Sequence, residues 1–233
     1  MDNVKLLERI DTKYVLHEQK LVGLLAEIND KYRLLVIEDV AVHPYETVYF
    51  DTPEFNLYMM HHNGRRNRYK LRCRKYVNSG DTFFEIKRKT NTSRTIKKRM
   101  EIESMPDSLS DKMKQYVTDY ASPHKQNYVP SLQVFFDRLT FVNIEGTERL
   151  TIDLNVRYKS HQSEAALENI VIVEVKQEKH SVSPFRMLMK QQRQQKTYIS
   201  KYCLGLISIN HNLKMNRFKE KISYINKLGH ETD

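Results

Sequence analysis

The sequence predicts an α+β protein built on an antiparallel closed β-barrel of about eight strands, forming a charged tunnel with helices packed outside. Three observations lead there. Arg68, Lys70, Arg72 and Arg74 place a cation at every second position, and in a strand alternate side chains share one face. The pattern recurs around Glu85, Lys87 and Lys89 and again around Lys97 and Arg99. The segments between these runs are short and hold turn residues, so neighbouring strands run antiparallel. Several strands with one cationic face read as a sheet curled around a polyanion, because stacked like charges repel unless something negative lies between them.

In chain order, residues 7–15 read as a strand. Residues 18–33 read as a helix, with Leu21, Leu24, Leu25, Ile28 and Tyr32 at helical spacing. Two strands, 34–42 and 45–51, are expected to turn at His43 and Pro44. Pro53 opens a short helix carrying Leu57 and Tyr58, broken by Asn63 and Gly64. The three charged strands follow near 66–76, 82–89 and 95–103. A helix at 107–121 starts at Asp107 or Ser108. Strands resume at 132–142, 149–158 and 169–177, then helices at 183–196 and 211–228. The last is amphipathic and basic, and is expected to dock on its own domain. No repeat or linker divides residues 1–233, so one domain is expected.

The chain has 233 residues, 39% of them hydrophobic, 29% charged, and a formal net charge of +10. Such a balance favours a negative partner: nucleic acid, an anionic surface or phosphate-rich small molecules. Specific nucleic-acid binding is disfavoured, since the aromatics do not alternate with the basic residues as stacking platforms do. Cys73 and Cys203 are the only cysteines, which argues against a disulfide framework and against a zinc site. No apolar run is long enough for a membrane span and the N-terminus lacks a signal-peptide pattern, so a soluble, cytoplasmic protein is expected.

Inside a tunnel, Arg offers bidentate contacts to phosphoryl oxygens and Lys a compact charge. No glycine-rich phosphate loop is present, so side chains must do the binding. A divalent metal would be held by one or two carboxylates and by the phosphates themselves. Glu174 and Glu85 are the candidates, each in a Glu-x-Lys run that sets an acid and a cation on one strand face. Glu174 is alternatively a buried carboxylate paired to Lys176, and Glu85 a salt-bridge partner. Asp51 reads as a cap for the turn before Pro53, and His61 and His62 as helix-end residues.

Nine ordered segments between residues 9 and 205 resemble the catalytic domain of the VTC-type polyphosphate polymerases, within the triphosphate tunnel metalloenzymes. They run from Arg9-Ile10-Asp11-Thr12-Lys13-Tyr14 through Tyr49-Phe50-Asp51-Thr52, Arg72-Cys73-Arg74-Lys75-Tyr76, Phe84-Glu85-Ile86-Lys87 and Ile96-Lys97-Lys98-Arg99. Phe136-Asp137-Arg138, Arg149-Leu150-Thr151-Ile152-Asp153, Val173-Glu174-Val175-Lys176 and Ser200-Lys201-Tyr202-Cys203-Leu204-Gly205 complete them. The resemblance implies phosphate binding by Lys13, Arg72, Arg74, Lys87, Lys97, Arg138, Arg149 and Lys201, and metal binding by Glu174. It implies transfer of the terminal phosphoryl of ATP to a polyphosphate chain with Mn2+ or Mg2+, and hydrolysis of triphosphates is the alternative within the same fold. Two departures stand out. Arg9 occupies the first acidic position of the Glu-x-Glu-x-Lys opening common in other tunnel enzymes, which leans toward the polymerase branch. Tyr198 stands where the polymerase pattern has a second lysine, which leaves a shorter product or hydrolysis open. A membrane partner protein and a non-catalytic polyphosphate-binding role also remain open at this stage.

Overall fold

The computed structural model describes residues 9–92, 94–121, 126–198 and 200–230. Its elements are β1 (Arg9–His17), α1 (Lys20–Ile28), β2 (Tyr32–Leu34), β3 (His43–Asp51), α2 (Asn56–His62), β4 (Arg68–Tyr76), β5 (Thr82–Lys89) and β6 (Thr95–Ile102). They continue with α3 (Asp111–Tyr120), β7 (Val129–Asn143), β8 (Glu148–Lys159), β9 (Glu164–Ala166), β10 (Ile170–Glu178), α4 (Pro184–Gln191) and α5 (Lys201–Ile209). A 3-10 turn (Asn216–Phe218) leads into α6 (Lys219–Gly229).

All ten strands belong to one sheet of order β1-β10-β8-β7-β3-β4-β5-β6, with β2 paired to β7 and β9 to β8. Every named pairing is antiparallel. The expected closed barrel is not completed by hydrogen bonds among the described residues: the sheet is a curled, open path whose end strands are β1 and β6. Two features bear on that gap. The outer edge of β1 is met by Thr197, whose amide donates to the Lys13 carbonyl. Closure would also set the cations of β6 against Lys13 of β1, and like charges on facing strands repel.

Apolar residues separate the two faces. On the outer face, α1 and α4 cover β1, β10, β8 and β7 through Leu24, Ile28, Phe185 and Met189. Helix α3 covers β3, β4 and β5 through Met113 and Val117, packed on Leu71, Phe84 and Ile86. The third cluster lies on the inner face. There α5 and α6 pack Tyr202, Leu206, Ile225 and Leu228 against Val15, Leu132, Val134, Val156, Tyr158 and Ile172. Helix α2 straddles the rim, giving Leu57 to an outer cluster and Tyr58 to the inner one. One end of the concave face is therefore filled by helices, and the rest is left for charge. As expected, the amphipathic C-terminal helix docks on its own sheet, although it begins only at Lys219.

Several sequence expectations shift, each for an identifiable reason. The helix expected over 18–33 stops at Ile28 because Tyr32 is drawn into β2, from which its hydroxyl donates to the buried Glu148. Of the strand expected over 34–42 only Leu34 is in a strand, at the end of β2, and residues 35–42 hold an isolated bridge between Ile37 and Val40. Pro44 sits inside β3, one residue before the β4 ladder begins at Tyr45, near the end of that pairing where a proline is tolerated. Helix α3 begins at Asp111, capped by the Ser110 hydroxyl, which accepts from the Met113 amide. Helix α4 ends at Gln191, and Arg193 beyond it adopts a left-handed φ of 54°. Helix α5 has no amphipathic signal to find, because Tyr202 through Ile207 are all buried.

Two contacts hold α5 in place. The buried Asp51 carboxylate accepts from the amides of Thr52, Leu57 and Tyr58, each at 2.8 Å, and from the Tyr202 hydroxyl. It thereby caps the first turn of α2, beyond the turn before Pro53 for which the sequence reading cast it, and also pins α5. Gly205 lets α5 approach the sheet: a Cβ there would lie 2.4 Å from the Tyr158 ring and 2.8 Å from Leu132. Gly205→Ala should destabilise the fold by about 1–3 kcal/mol, because overpacking outweighs the helix-propensity gain of about 1 kcal/mol. A lowered urea midpoint at unchanged slope checks this; an unchanged or raised midpoint refutes the close-packing role.

Candidate active site on the concave face

Residues directly opposite each other in the ladders point to the same side, so the register assigns every candidate to a face. The partners Lys13, Glu174 and Thr151 share one side with Asp11, Lys176 and Arg149. The same side carries Asp153 and Arg138. Across β3 it continues as Thr47 with Arg74, then Tyr49 with Arg72, Glu85 and Arg99. The next row holds Lys70, Lys87 and Lys97. All nine strand-borne candidates therefore lie on the concave face, and Lys201 reaches it from the first turn of α5.

Curling brings the two halves of this face together. Between β10 and β5 lie four strands, so the sheet path separating them is about 24 Å. Yet the Lys87 ammonium is perturbed electrostatically by Glu174 of β10 and Lys13 of β1, and Lys70 by Lys13. Such influence requires approach through the interior.

Three carboxylates, the buried Glu85 and Asp153 and the half-buried Glu174, organise the cations. Glu85, 1% exposed, accepts from Arg72 Nε at 2.6 Å and Nη2 at 2.5 Å through Oε2, and takes Lys97 on Oε1. Asp153 binds Arg138 in bidentate fashion, at 2.5 Å to Nε and 2.8 Å to Nη2, and also takes Lys201. Glu174 holds both Lys13, at 2.8 Å, and Lys176, at 2.9 Å, on the single oxygen Oε1. Burial alone would raise these carboxyl pKa values, but the adjacent cations win. Glu85 is held down to about 2, and Asp153 and Glu174 well below the usual range. Lys97 is nonetheless lowered as well, since its own burial, with Arg72 and Arg74 nearby, outweighs Glu85.

Other cations have no acid to hold them. Among the described residues, Lys70, Lys87, Arg74 and Arg149 have no carboxylate within ion-pair distance. Arg74 instead bonds the Thr47 hydroxyl at 3.4 Å and lies over the rings of Tyr45 and Phe136. Lys70 and Lys87 face each other directly across the ladder. Burial and neighbouring cations lower both to a pKa of about 8, and burial lowers Lys176 to about 8 against the opposing pull of Glu174. Arg149 is exposed at one end of the face, in register with Lys176. A row of like charges without counter-ions is a standing electrostatic cost that a bound polyanion removes.

Side chains remote from phosphate chemistry take structural roles. His61 accepts no proton near neutrality, because burial and Lys70 depress it; it contacts the Tyr69 carbonyl at 3.0 Å. His62 bonds Asn216 at 2.7 Å. Tyr198, at the position of the missing lysine, is 67% exposed. Lys70 and Lys176 are the cations that the reading by motif left off the phosphate set. Both stood in plain alternation with selected residues, at Lys70-x-Arg72 and Glu174-x-Lys176, and the alternation was the signal for them.

Among the described residues no three His, Cys, Asp or Glu side chains gather as a metal cage. What Glu174 offers is a single hard carboxylate with both of its lysine contacts on one oxygen. Such a donor suits Mg2+ or Mn2+ only if phosphate oxygens and water complete the shell, which is how Mg2+ commonly binds in phosphoryl-transfer sites. Glu85 differs, for both of its oxygens are taken by cations.

A family model described as the VTC domain matches residues 8–210. The chain belongs to the VTC domain family. No curated protein sequence matches it. Among solved structures, one from Hippeastrum, named as an adenylyl cyclase and described as having a dominant triphosphatase activity, superposes with a TM-score of 0.51. It is 15% identical, covering 84% of this chain and 94% of that one. Another, from Vibrio parahaemolyticus and named as an adenylate cyclase, gives 0.49 at 12% identity over 84% and 97%. The Hippeastrum likeness shows that the two chains share a fold. No helix among the described residues is long and apolar enough to cross a membrane.

Two pH effects follow. The folded carboxyl values are depressed, so their stabilisation is complete above the unfolded values near 4 and is lost as pH falls toward 2. Glu85 alone accounts for on the order of 3 kcal/mol. The urea midpoint should therefore fall steeply below about pH 4.5, and a flat profile between pH ~5 and ~3 would contradict the paired state. The lysines work in the other direction. Lys70, Lys87 and Lys176 lose charge above a pKa of about 8, so affinity for tripolyphosphate should weaken progressively beyond that pH. Calorimetric titrations on either side of pH 8 test this.

Proposed function

We propose that this VTC domain is a metal-dependent polyphosphate polymerase that transfers the terminal phosphoryl of ATP to a polyphosphate chain inside the basic tunnel. The observation that carries the reading is the length of the cationic face. Arg68 to Arg74 alone spans about 20 Å along β4, and Lys13, Lys176 and Arg149 add a second row opposite. Such a face has room for more phosphoryl groups than one triphosphate contains, as a donor and an acceptor chain together require.

Arg72 and Arg138 are pre-oriented by Glu85 and Asp153, so their forks are fixed before substrate arrives. On this reading Glu85 positions cations and does not ligate metal. Lys87, Lys97, Arg74 and Lys70 neutralise the phosphate chain, and Arg149 meets it at the exposed end. Lys201 presents its ammonium at the N-terminus of α5, where the helix dipole adds to the attraction for an anion. Glu174 is the residue that would hold Mg2+ or Mn2+ together with phosphate oxygens. When bound, the metal neutralises charge that builds on the phosphoryl oxygens.

Chemistry then needs little further from the protein. A terminal phosphate oxygen of the acceptor, ionised near neutral pH, forms a bond to the γ-phosphorus of ATP. The bond from that phosphorus to the bridging oxygen breaks, and ADP leaves with the electron pair. No general base is needed.

Triphosphate hydrolysis is the second reading. It is favoured by the exposed Tyr198, which leaves one polymerase lysine unreplaced at its own position, and by the activity described for the Hippeastrum protein. Incubating purified protein with ATP and Mn2+ and resolving the phosphates on a gel separates the two. A ladder of polyphosphate with matching ADP supports the polymerase, whereas orthophosphate without longer products supports the hydrolase. In either case Glu174→Gln should lower turnover by roughly 100-fold and leave metal-free tripolyphosphate binding intact or tighter, since it removes a negative charge. Unchanged turnover in that variant would remove Glu174 from the mechanism.

A further inference from the structure

Outside the tunnel, the convex side of the sheet carries a second basic concavity. A groove of about 410 Å³ lies between the β1–β10 pair and α4, lined by residues that include Tyr14, Gln177, Ser183, Arg186, Lys190 and Lys196. None of its lining residues is acidic. Its floor is built of polar groups that are themselves buried: Tyr14 is 5%, Gln177 2% and Ser183 5% exposed. Gln177 fixes the Arg186 guanidinium with a 2.8 Å bond from Nη1 to Oε1, and is itself held by the Ser181 carbonyl at 2.8 Å. Lys190 and Lys196 are exposed at the sides.

The position of the groove matters as much as its charge. Strand β1 is an end strand of the sheet. Lys13 faces the tunnel beside Glu174, while its neighbour Tyr14 faces the groove. The segment carrying Lys196 runs along this edge, tied to it where Thr197 donates to the Lys13 carbonyl at 2.7 Å. Lys196 precedes Thr197 at this edge, and Lys190 and Arg186 line the same groove from α4.

We propose that this groove is an exosite for an extended phosphate chain, holding the part of a polyphosphate that lies outside the tunnel. The proposal rests on the tunnel reading for the origin of the chain, while the groove's affinity for polyphosphate can be measured by itself. Arg186 supplies the fixed fork and the two lysines supply mobile charges. Since the groove acts only on a chain long enough to reach it, tripolyphosphate should not sense it.

The test compares tripolyphosphate with long-chain polyphosphate by calorimetry, using the whole protein. The exposed double variant Lys190→Ala/Lys196→Ala should weaken long-chain binding about tenfold and reduce its salt dependence, because two fewer cations displace counter-ions. Its affinity for tripolyphosphate should match wild type. Lys112→Ala/Lys114→Ala on α3 removes equal charge elsewhere and should change neither. Unchanged long-chain affinity in the groove variant overturns the proposal, as does an equal loss in the α3 control or a parallel loss for tripolyphosphate. Failure of the tunnel reading would look different: wild type would not bind tripolyphosphate, yet long chains would bind and the groove variant would still weaken them.

Discussion

The concave face must keep more cations close together than its acids can neutralise. That constraint shapes everything around it. Glu85, Asp153 and Glu174 each gather two cations, and these pairs let a water-poor interior tolerate Arg72, Arg138, Lys201 and Lys176, while Lys97 and Lys13 reach their acids from more exposed positions. Set against a well-packed apolar core such pairs add little, although protonating a carboxylate within one is costly. Their value here lies in orientation. The remaining cations, Lys70, Lys87, Arg74 and Arg149, keep their charge available for a ligand.

The apolar clusters make this arrangement affordable. Two of them lie on the convex side, where α1, α4 and α3 shield the sheet. The third fills one end of the concave side with α5 and α6. Stability is thus drawn from surfaces that do not touch the substrate. The same placement brings Lys201 to its carboxylate, since α5 must pack on Tyr158 and Leu132 for its first turn to reach Asp153. Gly205 and Asp51 consequently support function without belonging to the phosphate-binding surface.

Much of the candidate site was legible in the sequence because strand geometry has a period of two. Once residues 68–74, 85–89 and 95–99 are read as strands, alternation alone assigns Arg72, Arg74, Glu85, Lys87 and Lys97 to one face. The same rule places Glu174 with Lys176. Alternation carries no information about which acid meets which cation. Glu85 and Glu174 look equivalent in their Glu-x-Lys runs, yet one is enclosed by Arg72 and Lys97 while the other offers its cations a single oxygen. That difference depends on neighbours contributed by strands distant in sequence.

The sequence by itself determined the strand-rich architecture, the cationic face and the family, because each rests on local spacing or on ordered motifs along the chain. Tertiary structure alone decided that the hydrogen-bonded path of the sheet ends at β1, whose edge is met by Thr197, which lies far away in sequence. It decided that residues 201–209 form a helix, because a segment buried on all sides shows no periodicity. It also decided how far the sheet curls, bringing Lys87 within electrostatic reach of Glu174. These outcomes depend on long-range packing and on the balance of charges across a concave surface, neither of which is encoded in any single window of the chain.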